Sequence, residues 1–355
     1  MADPLRVQLL KQIGSADDVH VLRALRLQAQ EHMEAILPTS PVEQFNLQLN
    51  ELHDAVIRRA VQLAEAEMAR LGMGSPPVPY AYLLFGSGGR IEQTLSSDQD
   101  SGLIYEEPAA DHAAAKQYFL QLAGTVVDYL KRVGYPPCEG NVLSDNPEWC
   151  LSLEEWKEKL NGWFSEPAWE SVRYLLIIAD CRSVYGEHDL AKRLKRHYFN
   201  DTLDHPLIVK RMLDNTMRHK VLLNVFGQLL KERYGENAGS LDIKYGAYIP
   251  MVNAIRLMAI RAGVEETSTF ARLRKLVETG AIKQEEGLKY EQAFRLFVRL
   301  RLMTMTIREN GWYANNGKLA SSKLSKEMTD ELKSGLRIGK KLQREVYKQT
   351  MGRFK

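Results

Sequence analysis

The stretch GSGGRIEQTLSSDQDSGLIY, residues 86–105, decides how this chain is read. It joins a glycine-serine turn to two aspartates, Asp98 and Asp100, one residue apart. Immediately before it, the apolar run Tyr80 to Phe85 has the length of a short buried strand. Gly86 and Gly88 relieve Cβ crowding where the chain turns sharply out of that strand into a helix. A turn of this kind aims backbone amides outward, and amides at a helix start bind phosphate through hydrogen bonds and the helix dipole. The Ser87 hydroxyl adds a donor for a β- or γ-phosphate, and Arg90 adds a planar fork of donors.

Downstream, Ser101 to Tyr105 is a second candidate strand. Residues two apart on a strand point to one face, so Asp98 and Asp100 are expected side by side. Two adjacent carboxylates repel unless a cation lies between them. Mg²⁺ suits the place, with Mn²⁺ as the alternative, because it takes a few carboxylates and completes its shell with water and phosphate oxygens. Two such ions would serve an in-line displacement on a nucleoside triphosphate. A glycine-rich turn alone is common, and an Asp-x-Asp alone is usually a solvated turn or a helix cap. Strand, Gly-Ser turn, helix, Asp-x-Asp and strand in that order are far more specific.

These residues resemble the GSxxR-x-E…(S/T)DxD signature of the polymerase-β-like nucleotidyltransferase superfamily. The closer resemblance is to the nucleotidyltransferases related to bacterial protein-PII uridylyltransferase, carried by Gly86, Ser87, Arg90, Glu92, Ser97, Asp98 and Asp100. It extends to CEGNVLSDNPEW at 138–149, Asp180-x-Arg182-x-Val-Tyr-Gly186, and Leu241-Asp242-Ile-Lys244 followed by a helix with Arg256. The resemblance implies a catalytic pair Asp98 and Asp100 that also binds the metal, and a nucleotide held by Gly86, Ser87, Gly88, Arg90 and Lys244. It further implies a helical domain after the catalytic one, bringing Lys244, Arg256 or Arg301 near the phosphates. Glu92 is expected to orient Arg90 or to cap the helix. The superfamily takes a third carboxylate from a following strand, here expected at Cys138 to Leu143, and Asn141 falls at its place. Glu139, Asp145 and Asp180 are the alternatives, and the sequence does not choose among them.

The implied reaction moves a nucleoside monophosphate group from a nucleoside triphosphate to an acceptor hydroxyl, with release of pyrophosphate. A protein hydroxyl is the first expectation for the acceptor, a small molecule the second and RNA the third. Asn141 motivates a different reading, a nucleotide-binding regulator without turnover. A purely structural helical scaffold leaves the Gly86-Ser87 and Asp98-Asp100 clusters unexplained.

The chain has 355 residues, 45% of them hydrophobic and 26% charged, enough for two or three modules. No apolar run approaches the length of a membrane span, and a cytoplasmic protein without membrane contact is expected. Cys138, Cys150 and Cys181 lack CxxC spacing and read as buried thiols. The His188-Asp189 dipeptide has no partner histidines at helical spacing, so no metal-dependent phosphohydrolase is expected. A net charge of +3 does not argue for nucleic acid, but Lys323 to Lys355 holds ten Lys or Arg against four acids. There Leu324, Met328, Leu332, Leu336, Leu342 and Val346 mark an amphipathic helix, read as packed with a solvated basic face or turned to an anionic substrate.

The expected fold is α+β, a small mixed sheet flanked by helices, divided as a helical segment (1–72), a catalytic module (78–165) and an all-α bundle (166–355). Helical periods cover 19–35, 42–71 and 111–133. Ser152-Leu-Glu-Glu155 is a capping box for a helix carrying Trp156 and Trp163, which read as core or groove residues rather than a base-stacking platform. Later helices are expected at 169–180, 190–198, 206–234, 250–262, 267–278 and 285–310.

Overall fold

The computed structural model describes residues 3–204, 206–224, 226–307 and 313–352. In chain order the first elements are helices α1 (Pro4–Gly14), α2 (Val19–Ile36) and α3 (Val42–Arg70), strand β1 (Tyr80–Leu84), the one-turn α4 (Gly86–Gly89), β2 (Ser101–Tyr105), α5 (His112–Val133) and β3 (Cys150–Ser152). Next come α6 (Leu153–Ser165), α7 (Trp169–Ile178), β4 (Arg182–Gly186), α8 (His188–Asp204) and α9 (Pro206–Thr216). The remainder holds β5 (Ser240–Asp242), a π-helical turn (Lys244–Tyr248), α10 (Ile249–Arg261), α11 (Thr269–Glu278), α12 (Gln284–Leu302), three short strands β6 to β8 (Met305–Ile307, Tyr313–Asn315, Lys318–Ala320) and α13 (Lys326–Met351). The fold is α+β.

The chain divides into two compact units, Met1–Gly162 with Asp180–Tyr198, and Trp163–Ala179 with Phe199–Lys355. Both the N-terminal helices and the four-stranded sheet lie in the first. Its helices begin where side-chain oxygens can take orphan amides. Asp3 accepts from the Arg6 amide under α1, and Asp18 from the His20 and Val21 amides under α2. The capping box at α6 forms as the sequence predicts: Glu155 N–H donates to Ser152 Oγ at 3.2 Å and Ser152 N–H to Glu155 Oε2 at 2.8 Å. Trp156 of that helix is fully buried and donates Nε1–H to the Leu103 carbonyl.

The sheet order is β3-β2-β1-β4. β1 runs antiparallel to both β2 and β4, and β2 parallel to β3. β1 and β2 are buried along their whole length, which is why they read as apolar runs without alternation. Their register pairs Leu84 with Ser101, and one further bond, Phe85 N–H to Asp100 O at 2.9 Å, carries the pairing up to Gly86.

One long helix organises this unit through buried polar side chains. Along α3, Asn46, Asn50 and His53 are buried. At spacings of four and three they share one helix face. They meet the backbone of the segment after α4. Asn46 Nδ2 donates to the Ile91 carbonyl at 2.6 Å, Asn50 Oδ1 accepts the Gln93 amide at 2.9 Å, and His53 Nε2 bonds the Thr94 carbonyl at 2.9 Å. A carbonyl only accepts, so Nε2 carries the proton and Nδ1 accepts from the Tyr135 hydroxyl at 2.7 Å. Arg26 of α2 stacks over the Tyr135 ring, 4.1 Å from its centroid.

The second unit contains α7, α9 to α13 and two short ribbons, β5 with β8 and β6 with β7. The helix expected over 206–234 stops at Thr216. Beyond it Asn224 caps a tight turn, and Gly227, Gly235 and Gly239 take positive φ, a geometry no helix contains. The helix expected over 285–310 ends at Leu302, and residues 308–310 lie outside the described residues.

Complete burial and the Arg26 charge together hold the His53 pKa near 3, against an ordinary 6.5. Its neutral form is favoured only in the folded chain, so the stability it protects is present above pH 6.5 and is lost as pH falls toward 3. Denaturant titrations from pH 7 to pH 4 are expected to show wild type losing up to about 1.4 kcal/mol per pH unit relative to His53→Gln. Parallel curves would mean that His53 is already charged in the fold.

Candidate active site

The turn predicted after β1 exists, but its helix lasts a single turn. α4 spans Gly86–Gly89, and the chain then leaves helical geometry at Ile91, a β-branched residue held at φ +59. A β-branched residue in that region is strained by roughly 1–3 kcal/mol, and the Asn46 bond to its carbonyl helps hold it there.

Three glycines in the turn answer to three different neighbours. Gly86 has φ +51, and a Cβ there would stand 2.4 Å from Asp100 Oδ2. The Asp100 carboxylate therefore lies directly over the Gly86 backbone. The Gly88 carbonyl accepts from Arg182 Nε at 2.8 Å. A Cβ on Gly89 would fall 2.0 Å from the Asp180 carbonyl, so only glycine lets the segment entering β4 approach so closely. Arg182 is itself fixed by a bidentate pair with Asp54 of α3 at 2.7 and 2.9 Å. The amides of Gly86, Ser87 and Gly88 meet no protein acceptor among the described residues, so they are available to a ligand at the head of the turn.

Asp98 and Asp100 flank Gln99, which forms a single parallel bridge with Pro137. Gln99 is buried and donates Nε2–H to the Val127 and Tyr135 carbonyls at 3.1 and 2.8 Å. Asp98 is exposed and Asp100 half-buried. The alternation expected of an extended segment is thus present, with both carboxylates on the side away from Gln99. Ser87 Oγ stands 3.4 Å from Ser97 Oγ, which ties the Gly-Ser turn to the residue before Asp98.

Arg90 is placed otherwise than the sequence predicts. Its side chain is only 6% exposed; Nε donates to Glu92 Oε2 at 2.9 Å and Nη1 to Asp180 Oδ2 at 2.6 Å. Both carboxylates are buried as well. A guanidinium enclosed by two acids anchors the turn to the segment before β4. Glu92 takes the orienting part foreseen for it.

The third-carboxylate question is answered in part. Cys138 to Leu143 is a loop and not a strand, although the Val142 carbonyl accepts from Ser101 N–H at 3.0 Å alongside β2. The strand pairing with β2 on that side is β3. Asn141 occupies a left-handed turn at φ +51, which asparagine tolerates, with its side chain exposed. Asp180 is committed to Arg90, and Glu139 and Asp145 are exposed. Among the described residues no group of three His, Cys, Asp or Glu could hold a metal ion. Cys138, read from sequence as a buried thiol, is half-buried and interacts with the Asp100 carboxylate; burial foremost, and then that charge, push its pKa up to about 11. Nothing local distinguishes Cys138 from Cys150, because the contact is made across the loop.

Lys244 belongs to the second unit, at the start of the π-helical turn. There its ammonium lies 5.1 Å from the Tyr245 ring centroid and its stem covers Gly317. In the same unit Arg301 stacks over Tyr248 at 4.3 Å, and Arg256 donates to Asn253 at 2.7 Å.

This first-unit geometry coincides with a family match. The model described as "Putative nucleotidyltransferase DUF294" matches residues 22–170, and that described as "Putative nucleotidyltransferase substrate binding domain" matches residues 206–350. The chain belongs to this nucleotidyltransferase family. No curated protein matches it. The first DUF294 match spans α2 and α3, which is consistent with these helices holding the backbone of the Gly-Ser turn and its following loop. No helix among the described residues is long and apolar enough to cross a membrane.

Breaking a buried ion pair strands the remaining charge, which costs about 3–5 kcal/mol. Asp180→Asn is therefore expected to lower the urea midpoint by an amount of that order with an unchanged m-value, and Arg90→Lys, which loses the fork, to do the same. A loss under about 1 kcal/mol in both would show that the cluster is not what secures the turn.

Proposed function

We propose that the first unit binds a nucleoside triphosphate at the Gly86–Gly89 turn and transfers its nucleoside monophosphate group to an acceptor hydroxyl, releasing pyrophosphate. The observation that carries this reading is the seating of the Asp100 carboxylate against Gly86, beside three amides without a protein acceptor. It puts one carboxylate of the acidic pair against the anion cradle, an arrangement that makes sense when a cation joins the two.

The donor set fits Mg²⁺ or Mn²⁺: two carboxylates from one face of an extended segment, with the rest of the shell left to water and phosphate oxygens. When bound, such an ion would offset the charge that builds on the phosphates during displacement. Asp98 and Asp100 are the residues that would hold it. The amides of Gly86, Ser87 and Gly88 and the Ser87 hydroxyl bind the terminal phosphates. Arg90, Glu92 and Asp180 act through the turn and position it. The assignment of Lys244 to the nucleotide rests on the family resemblance alone. For the acceptor, a protein hydroxyl remains the first choice by resemblance to protein-PII uridylyltransferase, and a small molecule the second.

A second reading, a nucleotide binder without turnover, draws on the lack of a third metal-ligating side chain among the described residues and on the exposed, turn-bound Asn141. One experiment separates the two. Each α-³²P-labelled nucleoside triphosphate is incubated with a cell extract, Mg²⁺ or Mn²⁺, and either wild type or the Asp98→Asn, Asp100→Asn chain. Label entering protein or small molecules with wild type alone supports transfer and identifies the acceptor class, with a loss of at least about a hundredfold expected in the variant. Nucleotide binding without labelled product favours the silent binder. Gly86→Ala is expected to abolish transfer, since a methyl group there collides with the Asp100 carboxylate; normal turnover in that variant would place the phosphates elsewhere.

A further inference from the structure

The basic C-terminal segment forms a defined site in the second unit. On α13, Lys340 and Lys341 each stand three or four residues from both Arg337 and Arg344, so the four make a single stripe. The helix buries Leu332, Leu336, Leu342 and Val346. Together with Leu223, Asn224, Phe226 and Gly227 the stripe lines a cavity of about 400 Å³, within the range of small-ligand sites.

Three observations separate this cavity from an ordinary solvated helix face. First, Lys341 is paired with Glu286 at 2.9 Å and Glu345 at 3.4 Å, whereas Arg337, Lys340 and Arg344 have no carboxylate partner among the described residues. Like charges at these spacings repel by about 0.2–0.5 kcal/mol per pair, a cost that packing does not require. Second, the described residues of the opposite wall are joined by hydrogen bonds. Asn224 Oδ1 accepts the Phe226 and Gln228 amides, both at 2.9 Å, its Nδ2 donates to Gln228 Oε1 at 2.9 Å, and Gly227 closes the turn at φ +74. The Leu222 amide ties the base of this wall to the Gly246 carbonyl. Third, the turn holds Phe226 84% exposed at the cavity. An exposed phenyl ring beside cations that have no carboxylate partner among the described residues offers a flat apolar face next to positive charge.

We propose that this cavity binds a nucleoside di- or triphosphate, its phosphates on Arg337, Lys340 and Arg344 and its base against Phe226, without a metal ion. Unpaired cations alone would accept any polyanion. The ring restricts the class to a phosphate ester with a planar base, since stacking on an aromatic side chain is available to every nucleobase. The size of the cavity favours a single nucleotide over a strand. This site is separate from the proposed transfer reaction and holds whether or not the first unit turns over.

The test is calorimetric titration of the full chain with ATP, UTP, GTP and CTP in EDTA, which disables a metal-dependent first site. The Asp98→Asn, Asp100→Asn chain serves as background, so failure of the transferase reading leaves this measurement intact. Saturable binding is expected to persist in EDTA and in that background. It should weaken at least tenfold in Arg337→Gln, Arg344→Gln and severalfold in Phe226→Ala. Tripolyphosphate, which has no ring, should compete, and its own affinity should be unaffected by Phe226→Ala. Circular dichroism melts of each variant verify that the fold persists. Absence of binding in EDTA, equal affinity in the folded Arg337→Gln, Arg344→Gln chain, or an equal effect of Phe226→Ala on tripolyphosphate would overturn the proposal. Tighter binding of a single-stranded RNA 12-mer through the same residues would overturn it in favour of a nucleic-acid surface.

Discussion

Everything in the first unit that bears on chemistry depends on how the backbone between Arg90 and Gln99 is satisfied. This segment has one bridge and no ladder, yet most of it is buried. Buried amides and carbonyls without partners cost about 1–3 kcal/mol each, so the segment persists only because side chains replace the missing strand. Asn46, Asn50 and His53 from α3 and Gln30 from α2 do so, each meeting a main-chain group between Ile91 and Leu95. An element that reads as a separate helical preface is therefore part of the site's support. The strained Ile91 stands at the start of this network, held by Asn46.

The same helix also sets the position of the sheet edge opposite the turn. Glu65 accepts from the hydroxyls of Tyr80 on β1 and Tyr185 on β4, at 2.7 and 2.6 Å, and Asp54 fixes Arg182. Arg182 and Asp180 in turn grip α4 through the Gly88 carbonyl and Arg90. Ion pairs that would contribute little on a surface matter here because both partners are desolvated and the geometry is bidentate or doubly satisfied. The turn is held by charged and polar groups, while its own leading amides meet no protein acceptor among the described residues. Such outer contacts hold the turn in place, which the proposed reaction would need to keep its groups in register.

Asp98, Asp100, Gly86, Ser87 and the two flanking strands were legible because each signal is local: an apolar run, a period of two, glycine at a turn. The capping box at Ser152 and Glu155 was legible for the same reason. Arg90 was not. Its spacing from Gly86 suits a phosphate ligand, and its partner Asp180 stands ninety residues away, so no window of sequence contains both. Cys138 was invisible as a neighbour of Asp100 because a loop brings them together. The 206–234 helix was overestimated because helical apolar spacing outweighed the Asn224–Gly227 turn, a short signal with a strong conformational effect.

By itself the sequence determined the α+β class, the strand-turn-strand unit, the acidic pair and the amphipathic, basic final helix, because periodicity, glycine conformation and side-chain alternation operate within a few residues. The tertiary structure alone decided that Arg90 is enclosed by Glu92 and Asp180, that α3 and α2 supply hydrogen bonds to the loop between Ile91 and Leu95, and that cations of α13 share a cavity with Phe226. Each of those outcomes requires groups far apart in the chain to desolvate one another or to meet across a turn, and only packing determines which of them do.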